Sequence, residues 1–225
     1  MIELVVLDIG GTTVDEHGDV YVALEAAVAA AGGAPEAEDV QRWKGAGKRE
    51  AIAGLLSETG SEPPGEDTVE QAFADFRARL ASAYAARPPE PLPGVPEALA
   101  TLRRQGVKVA LTTGFDRVVA EAVLSNLDWD ERVLDAVVCV DDVTAGRPAP
   151  YMIFRAMEQA GVRDVGAVLA AGDTVRDMEA GTNAGAAMVV GVLSGGHSAT
   201  DLGATPHTHL VPSVADLPVL LRYER

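Results

Sequence analysis

Five short apolar runs rich in valine, Ile2 to Leu7, Val107 to Leu111, Ala136 to Val140, Ala167 to Ala171 and Met188 to Val192, constrain this chain more than any other feature. Runs of that length without polar alternation predict strands buried on both faces, the pattern of a parallel sheet covered by helices. Helical patterns lie between them, at Val95 to Gln105, Asp116 to Leu127, Pro150 to Ala160 and Asp177 to Ala184, and supply the crossovers. The expected fold is α/β, a doubly wound parallel sheet. From about Asp15 to Leu92 the rhythm breaks into helical periodicity with no convincing strand. There Val69, Phe73, Phe76, Leu80 and Tyr84 recur at spacings of three and four, which places them on one helix face. The stretch ends in RPPEPLPGVP, whose prolines mark a connector. Residues 1–14 and 93–225 are therefore expected to form a core, and 15–92 an inserted helical domain.

In open α/β sheets, ligands gather beyond the carboxyl ends of the strands. The first run is followed by DIGGTT from Asp8, the second by Thr112, Thr113 and Gly114, the third by DDVTAGRP from Asp141, and the fourth by GDTVRD from Gly172. Four strand ends thus bring carboxylates, an arginine, a hydroxyl and glycine-rich turns to one crevice, where backbone N–H groups form an anion nest. Carboxylates so crowded need a cation. Hard oxygen ligands suit magnesium, with Asp8, Asp173 and the Gly10 carbonyl as direct ligands. The metal and Arg147 would keep Asp8 ionised and able to attack phosphorus. A lone Asp at a strand end is more often a cap or turn residue; the converging set is what points to a phosphoryl site.

The formal net charge of -16, from 34 acidic and 18 basic side chains, opposes binding to nucleic acid or anionic lipid and favours a small-molecule substrate. No apolar run reaches about 18 residues and the chain begins directly with a strand-like segment, so a cytoplasmic location without membrane association is expected. The single cysteine, Cys139 in AVVCV, excludes an internal disulfide and is expected to be a buried, inert thiol. Of the basic residues 15 are arginine and three are lysine, Lys44, Lys48 and Lys108. Two lysines share KGAGK, which reflects either a need for a primary amine there or drift.

Taken together, these motifs resemble those of the haloacid dehalogenase superfamily over the whole core, and the helical insert is similar to its mobile cap. The resemblance implies a covalent aspartyl phosphate on Asp8. It implies a phosphate held by Thr113, the Gly114 amide and Arg147, with Gly10, Gly11, Thr12 and the cap residue Gly45 also against it. Mg2+ would be held by Asp8, Gly10 and Asp173, with Asp177 supporting it directly or through water. Two departures narrow the branch: Gly10 stands where most members carry an acid/base aspartate, and Arg147 where most carry lysine. DIGGTTVD, TTGFDR, DDVTAGRPAPYM and GDTVRDMEAGTNAG resemble the phosphonoacetaldehyde hydrolase, or phosphonatase, branch, which has alanine and arginine at those places.

In that branch a cap lysine forms an imine with the substrate aldehyde, and Lys48 matches it by spacing from Gly45. The implied function is magnesium-dependent cleavage of the phosphorus–carbon bond of a small carbonyl phosphonate, with Lys48 activating the carbonyl. The alternative is a phosphatase for a small phosphate monoester, with Lys48 only a clamp for anions. Imine formation needs a neutral amine, and so burial or a neighbouring cation, for which Lys44 and Arg49 are the candidates. Lys44, Ala51, Gly18 and Phe115 stand where the branch has methionine, histidine, cysteine and tyrosine, which implies a different pocket. His17 is read as a solvated turn residue, with replacement of the missing acid as the alternative; His197, His207 and His209 are read as surface residues, and Trp43 and Trp129 as packing. The resemblance also allows a homodimer through the cap.

Overall fold

Both faces of the central strand are covered, and this fixes the layering of the molecule. A computed structural model describes residues 1 to 223. In chain order the strands are β1 (Leu4–Asp8), β2 (Val14–Asp15), β3 (Glu90–Pro91), β4 (Lys108–Thr113), β5 (Ala136–Cys139), β6 (Val168–Gly172), β7 (Met188–Val192) and β8 (His209–Val211). Six of them form one sheet in the order β5-β4-β1-β6-β7-β8, every pair parallel. All residues of β1, β6 and β7 are buried, as the continuous apolar runs require.

The helices are α1 (Asp19–Ala30), α2 (Ala37–Arg42), α3 (Lys48–Thr59) and α4 (Glu66–Ala86), then α5 (Val95–Arg104), α6 (Arg117–Asn126), α7 (Tyr151–Ala160), α8 (Val175–Ala184), α9 (Ala199–Gly203) and α10 (Leu217–Tyr223). Side chains alternate across a strand. Val5 and Leu7 accordingly join a cluster with Leu99 and Leu102 of α5, Val123 of α6 and Leu217 of α10. Leu4 and Val6 point the other way, into a cluster with Met152 and Ile153 of α7 and Ala180 of α8. The sheet is doubly wound.

Helices α1 to α4 occupy the stretch that lacked strand patterning. Leu24, Ile52, Leu55, Phe76 and Leu80 are fully buried among them. On α4, Val69, Phe76 and Leu80 are buried and Phe73 and Tyr84 are half-buried, so the periodic face packs inward. Three short strands were not foreseen, nor were α9 and α10. The chain enters and leaves the insert through the short antiparallel pair β2–β3, with Val14 opposite Pro91 and Asp15 opposite Glu90. Strand β8 extends the sheet beyond β7. Segments of two or three residues are too short to leave a periodic signal. The first strand starts at Leu4 and not Ile2, and β4 runs on through Thr112 and Thr113, so motif residues belong to the strand itself. Among the described residues no helix is long and apolar enough to cross a membrane.

Candidate active site

Parallel register aligns the carboxyl ends of β1, β4 and β6. Asp8 ends β1 and pairs with Thr112, Thr113 ends β4, and Asp173 follows the last residue of β6. Helix α8 starts at once after Asp173. Its N-cap Thr174 and residue Asp177 form a capping box in which the Asp177 carboxylate accepts from the Thr174 hydroxyl at 2.5 Å and the Thr174 N–H at 3.1 Å. Asp173 is equally fixed, by the Thr12 hydroxyl at 2.9 Å and the Gly196 N–H at 2.5 Å.

Arg147, buried in the same crevice, bridges two of these carboxylates. One amino group donates to Asp8 at 2.5 Å and the other to Asp177. Its Nε is buried with no partner, and an orphaned buried donor costs about 1–3 kcal/mol unless a ligand oxygen satisfies it. Burial works against the guanidinium's charge, but Asp177 and Asp8 outweigh it and raise its pKa further.

Ligand oxygens of Asp8, Asp173 and Asp177 all lie within 4.8 Å of one another. Burial, with Arg147 opposing and Asp177 adding repulsion, pushes Asp8 up to about 6. Burial and the charge of Asp8 push Asp173 up to about 6 as well. Asp177 is raised by burial despite Arg147. Three carboxylates against one guanidinium leave an excess of buried negative charge, and the donor atoms are all hard oxygens. The cluster therefore fits a divalent cation, whose charge would reverse these shifts.

The insert reaches this crevice from the other side. The Lys48 N–H donates to the Gly114 carbonyl at 3.3 Å, and the Gln41 amide and the Lys44 amine donate to the Gly196 carbonyl at 3.0 and 3.3 Å. The amine of Lys48 is buried, donating to Ala46 O at 3.2 Å and lying 5.3 Å from the Tyr21 ring centroid and 5.8 Å from that of Phe115. It shares one pocket with Asp8, Thr113, Gly114 and Arg147. Burial lowers its pKa and Arg147 lowers it further, against Glu16, Asp8 and Asp173, which raise it.

Core motifs of this kind at four adjacent strand ends have a family counterpart: the haloacid dehalogenase-like hydrolase family matches residues 2–185. The chain belongs to that family.

This haloacid dehalogenase-like hydrolase is 37% identical over 133 residues to a phosphonoacetaldehyde hydrolase of Bacillus cereus (strain B4264), covering 59% of the present chain and 47% of the relative. The chain thus spans about half the length of the curated relatives it matches. Among solved structures, a hydrolase from Pseudomonas syringae superposes with a TM-score of 0.87 at 23% identity over 98% of both chains. A phosphonoacetaldehyde hydrolase-like protein from Oleispira antarctica gives 0.84 at 21% identity over 99% of this chain and 92% of its own. These two likenesses concern the fold.

Within the hydrolase, the strand-end residues expected from sequence, Asp8, Gly10, Thr113, Gly114, Arg147, Asp173 and Asp177, come together, and Lys48 with Gly45 joins them from the insert. Gly11 and Thr12 lie on the Asp173 side. Arg49 does not serve the Lys48 amine; it is half-exposed and pairs with Glu70 and Glu66. Lys44 lies over the same Tyr21 ring, 5.1 Å from its centroid. His17 is not a free turn residue, since its ring meets the Pro88 carbonyl at 3.1 Å in the connector. His197 is partly buried, and its Nδ1 accepts from the Val175 N–H at the start of α8 at 2.9 Å. Trp43 packs on Gly54, with the Arg176 guanidinium 5.4 Å from its ring centroid. Cys139 is buried, and burial pushes its thiol up to about 12.

Glu16 went unremarked in the sequence, yet its carboxyl lines the pocket with Asp8 and Lys48. Burial pushes it up to about 8, with Asp173, Asp8 and Asp15 adding and Lys48 opposing. The available signal was a second acid directly after DIGGTTVD.

Gly45 holds the insert against the core in a left-handed conformation, φ 81°, and a β-carbon there would overlap the Thr174 hydroxyl. That hydroxyl is already committed to Asp177. Gly45→Ala is expected to cost roughly 1–2 kcal/mol in backbone strain alone, which lowers the thermal midpoint by several degrees, and to lower kcat/KM at least about tenfold. Steady-state kinetics and a melting curve check this; wild-type kinetics would show that the close approach is not needed.

Proposed function

We propose that the enzyme is a magnesium-dependent, phosphonatase-like hydrolase. It cleaves the phosphorus–carbon bond of a small carbonyl phosphonate, such as phosphonoacetaldehyde, through an aspartyl phosphate on Asp8. The observation that carries this reading is the buried amine of Lys48, in one pocket with Asp8, Thr113 and Arg147 and held toward its neutral form by burial. The likeness to the Bacillus cereus phosphonoacetaldehyde hydrolase supports it.

A neutral amine adds to the carbonyl and, with the uptake of one proton, loses water to give a protonated imine. That imine accepts the phosphorus–carbon electron pair as Asp8 attacks phosphorus, and the carbon leaves as an enamine. In this reading residues 15–92 act as the cap, which carries Lys48 to the core and excludes water. The phosphonate oxygens rest on Thr113, the Gly114 amide and Arg147, with the backbone of Gly10, Gly11, Thr12 and Gly45 completing the cradle. Asp8, the Gly10 carbonyl and Asp173 would hold Mg2+, with Asp177 behind them. Its charge would offset the repulsion between Asp8 and a dianionic substrate.

The test is phosphate release from phosphonoacetaldehyde and from a panel of phosphate monoesters, with and without chelator. The expected result is a kcat/KM for the phosphonate at least about 100-fold above any ester. Excess chelator should abolish it, and magnesium but not calcium should restore it, since calcium prefers looser and higher coordination. Release from esters alone would replace the phosphonatase by a phosphatase. Full activity in excess chelator would remove the metal.

A further inference from the structure

We propose that Glu16 is the proton-transfer group of this active site, occupying the space of the carboxylate that glycine at position 10 removes. The proposal rests on the reading of Asp8 as nucleophile but not on whether the leaving atom is carbon or oxygen.

The geometry is specific. A β-carbon built on Gly10 would lie 2.9 Å from Oε2 of Glu16 and 3.0 Å from its carboxyl carbon. Gly10 is not among the residues with left-handed φ, so its backbone would accept a side chain; the space is already filled by Glu16. The loop is built to bring this about. Thr13 and Val14 donate to the Ile9 carbonyl, each at 2.9 Å, and Gly11 donates to Val14 O at 2.9 Å. These bonds turn the chain back on itself, so that Glu16, emerging from β2, returns over Gly10. The same carboxyl shares the pocket with Asp8 and Lys48.

In the first half-reaction an Asp8 oxygen bonds to phosphorus, and the bond to the leaving carbon or oxygen breaks with its electron pair. Protonated Glu16 gives its proton to that atom: to an ester oxygen as it leaves, or to the terminal carbon of the enamine, after which the water released on imine formation is taken up again to free the aldehyde from Lys48. In the second, water attacks phosphorus, the bond to Asp8 breaks with its electrons returning to the carboxylate, and the water proton passes to Glu16. The cycle consumes one water and regenerates both carboxyl groups.

The test uses the full chain with magnesium, assayed on phosphonoacetaldehyde and on p-nitrophenyl phosphate. Glu16→Gln is nearly isosteric and should lower turnover by roughly 10²- to 10⁴-fold, the usual range for proton-transfer catalysis. Because water activation is lost, phosphate should accumulate on Asp8 and be recovered on its peptide after acid quench. Gly10→Asp in a Glu16→Ala background should regain at least tenfold over Glu16→Ala alone. Gly10→Asp by itself should help little, because two carboxyl groups would compete for one space. A Glu16 that merely balances the charge of Lys48 or props the connector would produce neither trapped phosphate nor recovery. Glu16→Gln retaining activity within about threefold overturns the proposal, as does a loss lacking either signature. If wild type hydrolyses only the ester, the phosphonatase reading falls while the Glu16 comparison is still read on that ester.

Discussion

Asp8→Asn is expected to abolish phosphate release, with a loss of roughly 10⁴-fold or more, equivalent to about 5 kcal/mol of transition-state stabilisation. The amide keeps the shape of the side chain, and its oxygen can still accept the hydrogen bond that Arg147 makes to Asp8, but it cannot attack phosphorus. The fold should survive. Asp8 is one of three buried carboxylates within 4.8 Å of one another, so neutralising it removes repulsion from Asp177 and Asp173 while weakening its pairing with Arg147. These effects oppose each other, and the thermal midpoint should move by only a few degrees. Phosphate release and a melting curve on the same preparation check both halves. Turnover near wild type in the folded variant would take Asp8 out of the mechanism.

Lys48→Arg should lose nearly all phosphonate cleavage, on the order of 10³-fold or more, if the amine forms an imine. A guanidinium keeps the charge and is not a usable amine nucleophile at neutral pH. Borohydride added with an aldehyde substrate should then leave a covalent adduct on the peptide containing Lys48. If the residue is only an anion clamp, arginine preserves cation and hydrogen bonds, and activity should stay within about tenfold, near 1.4 kcal/mol. Lys44 is the necessary control, because its amine lies over the same Tyr21 ring as that of Lys48, at 5.1 against 5.3 Å. The adduct is therefore mapped by mass spectrometry in wild type and in Lys44→Arg. An active Lys48→Arg enzyme without adduct would refute the imine. Adduct on Lys44 alone would keep the chemistry and move it from the start of α3 to the loop before it.

Much of this was written in the linear sequence, for identifiable physical reasons. Strands covered on both faces must be apolar throughout, so β1, β4, β5, β6 and β7 appear as continuous runs. A parallel sheet aligns its carboxyl ends, so the motifs after those runs had to share a crevice, and Asp8, Thr113, Arg147 and Asp173 do. The periodic face of α4 reported the insert's interior for the same reason of burial. Other facts exist only in three dimensions. That Arg147 bridges Asp8 and Asp177 depends on how the loop after β5 crosses to β1 and α8. That Lys48 is buried beside Phe115, while Arg49 next to it faces outward to Glu70, depends on how α3 sits against the core. Glu16 shows the difference most directly. Its residue type was visible, but its closeness to Gly10 arises from backbone bonds converging on the Ile9 carbonyl, which fold six residues of chain into one turn. Side-chain periodicity reports which face is buried; it carries no record of where an irregular loop returns, because that is set by backbone hydrogen bonds available to almost any sequence.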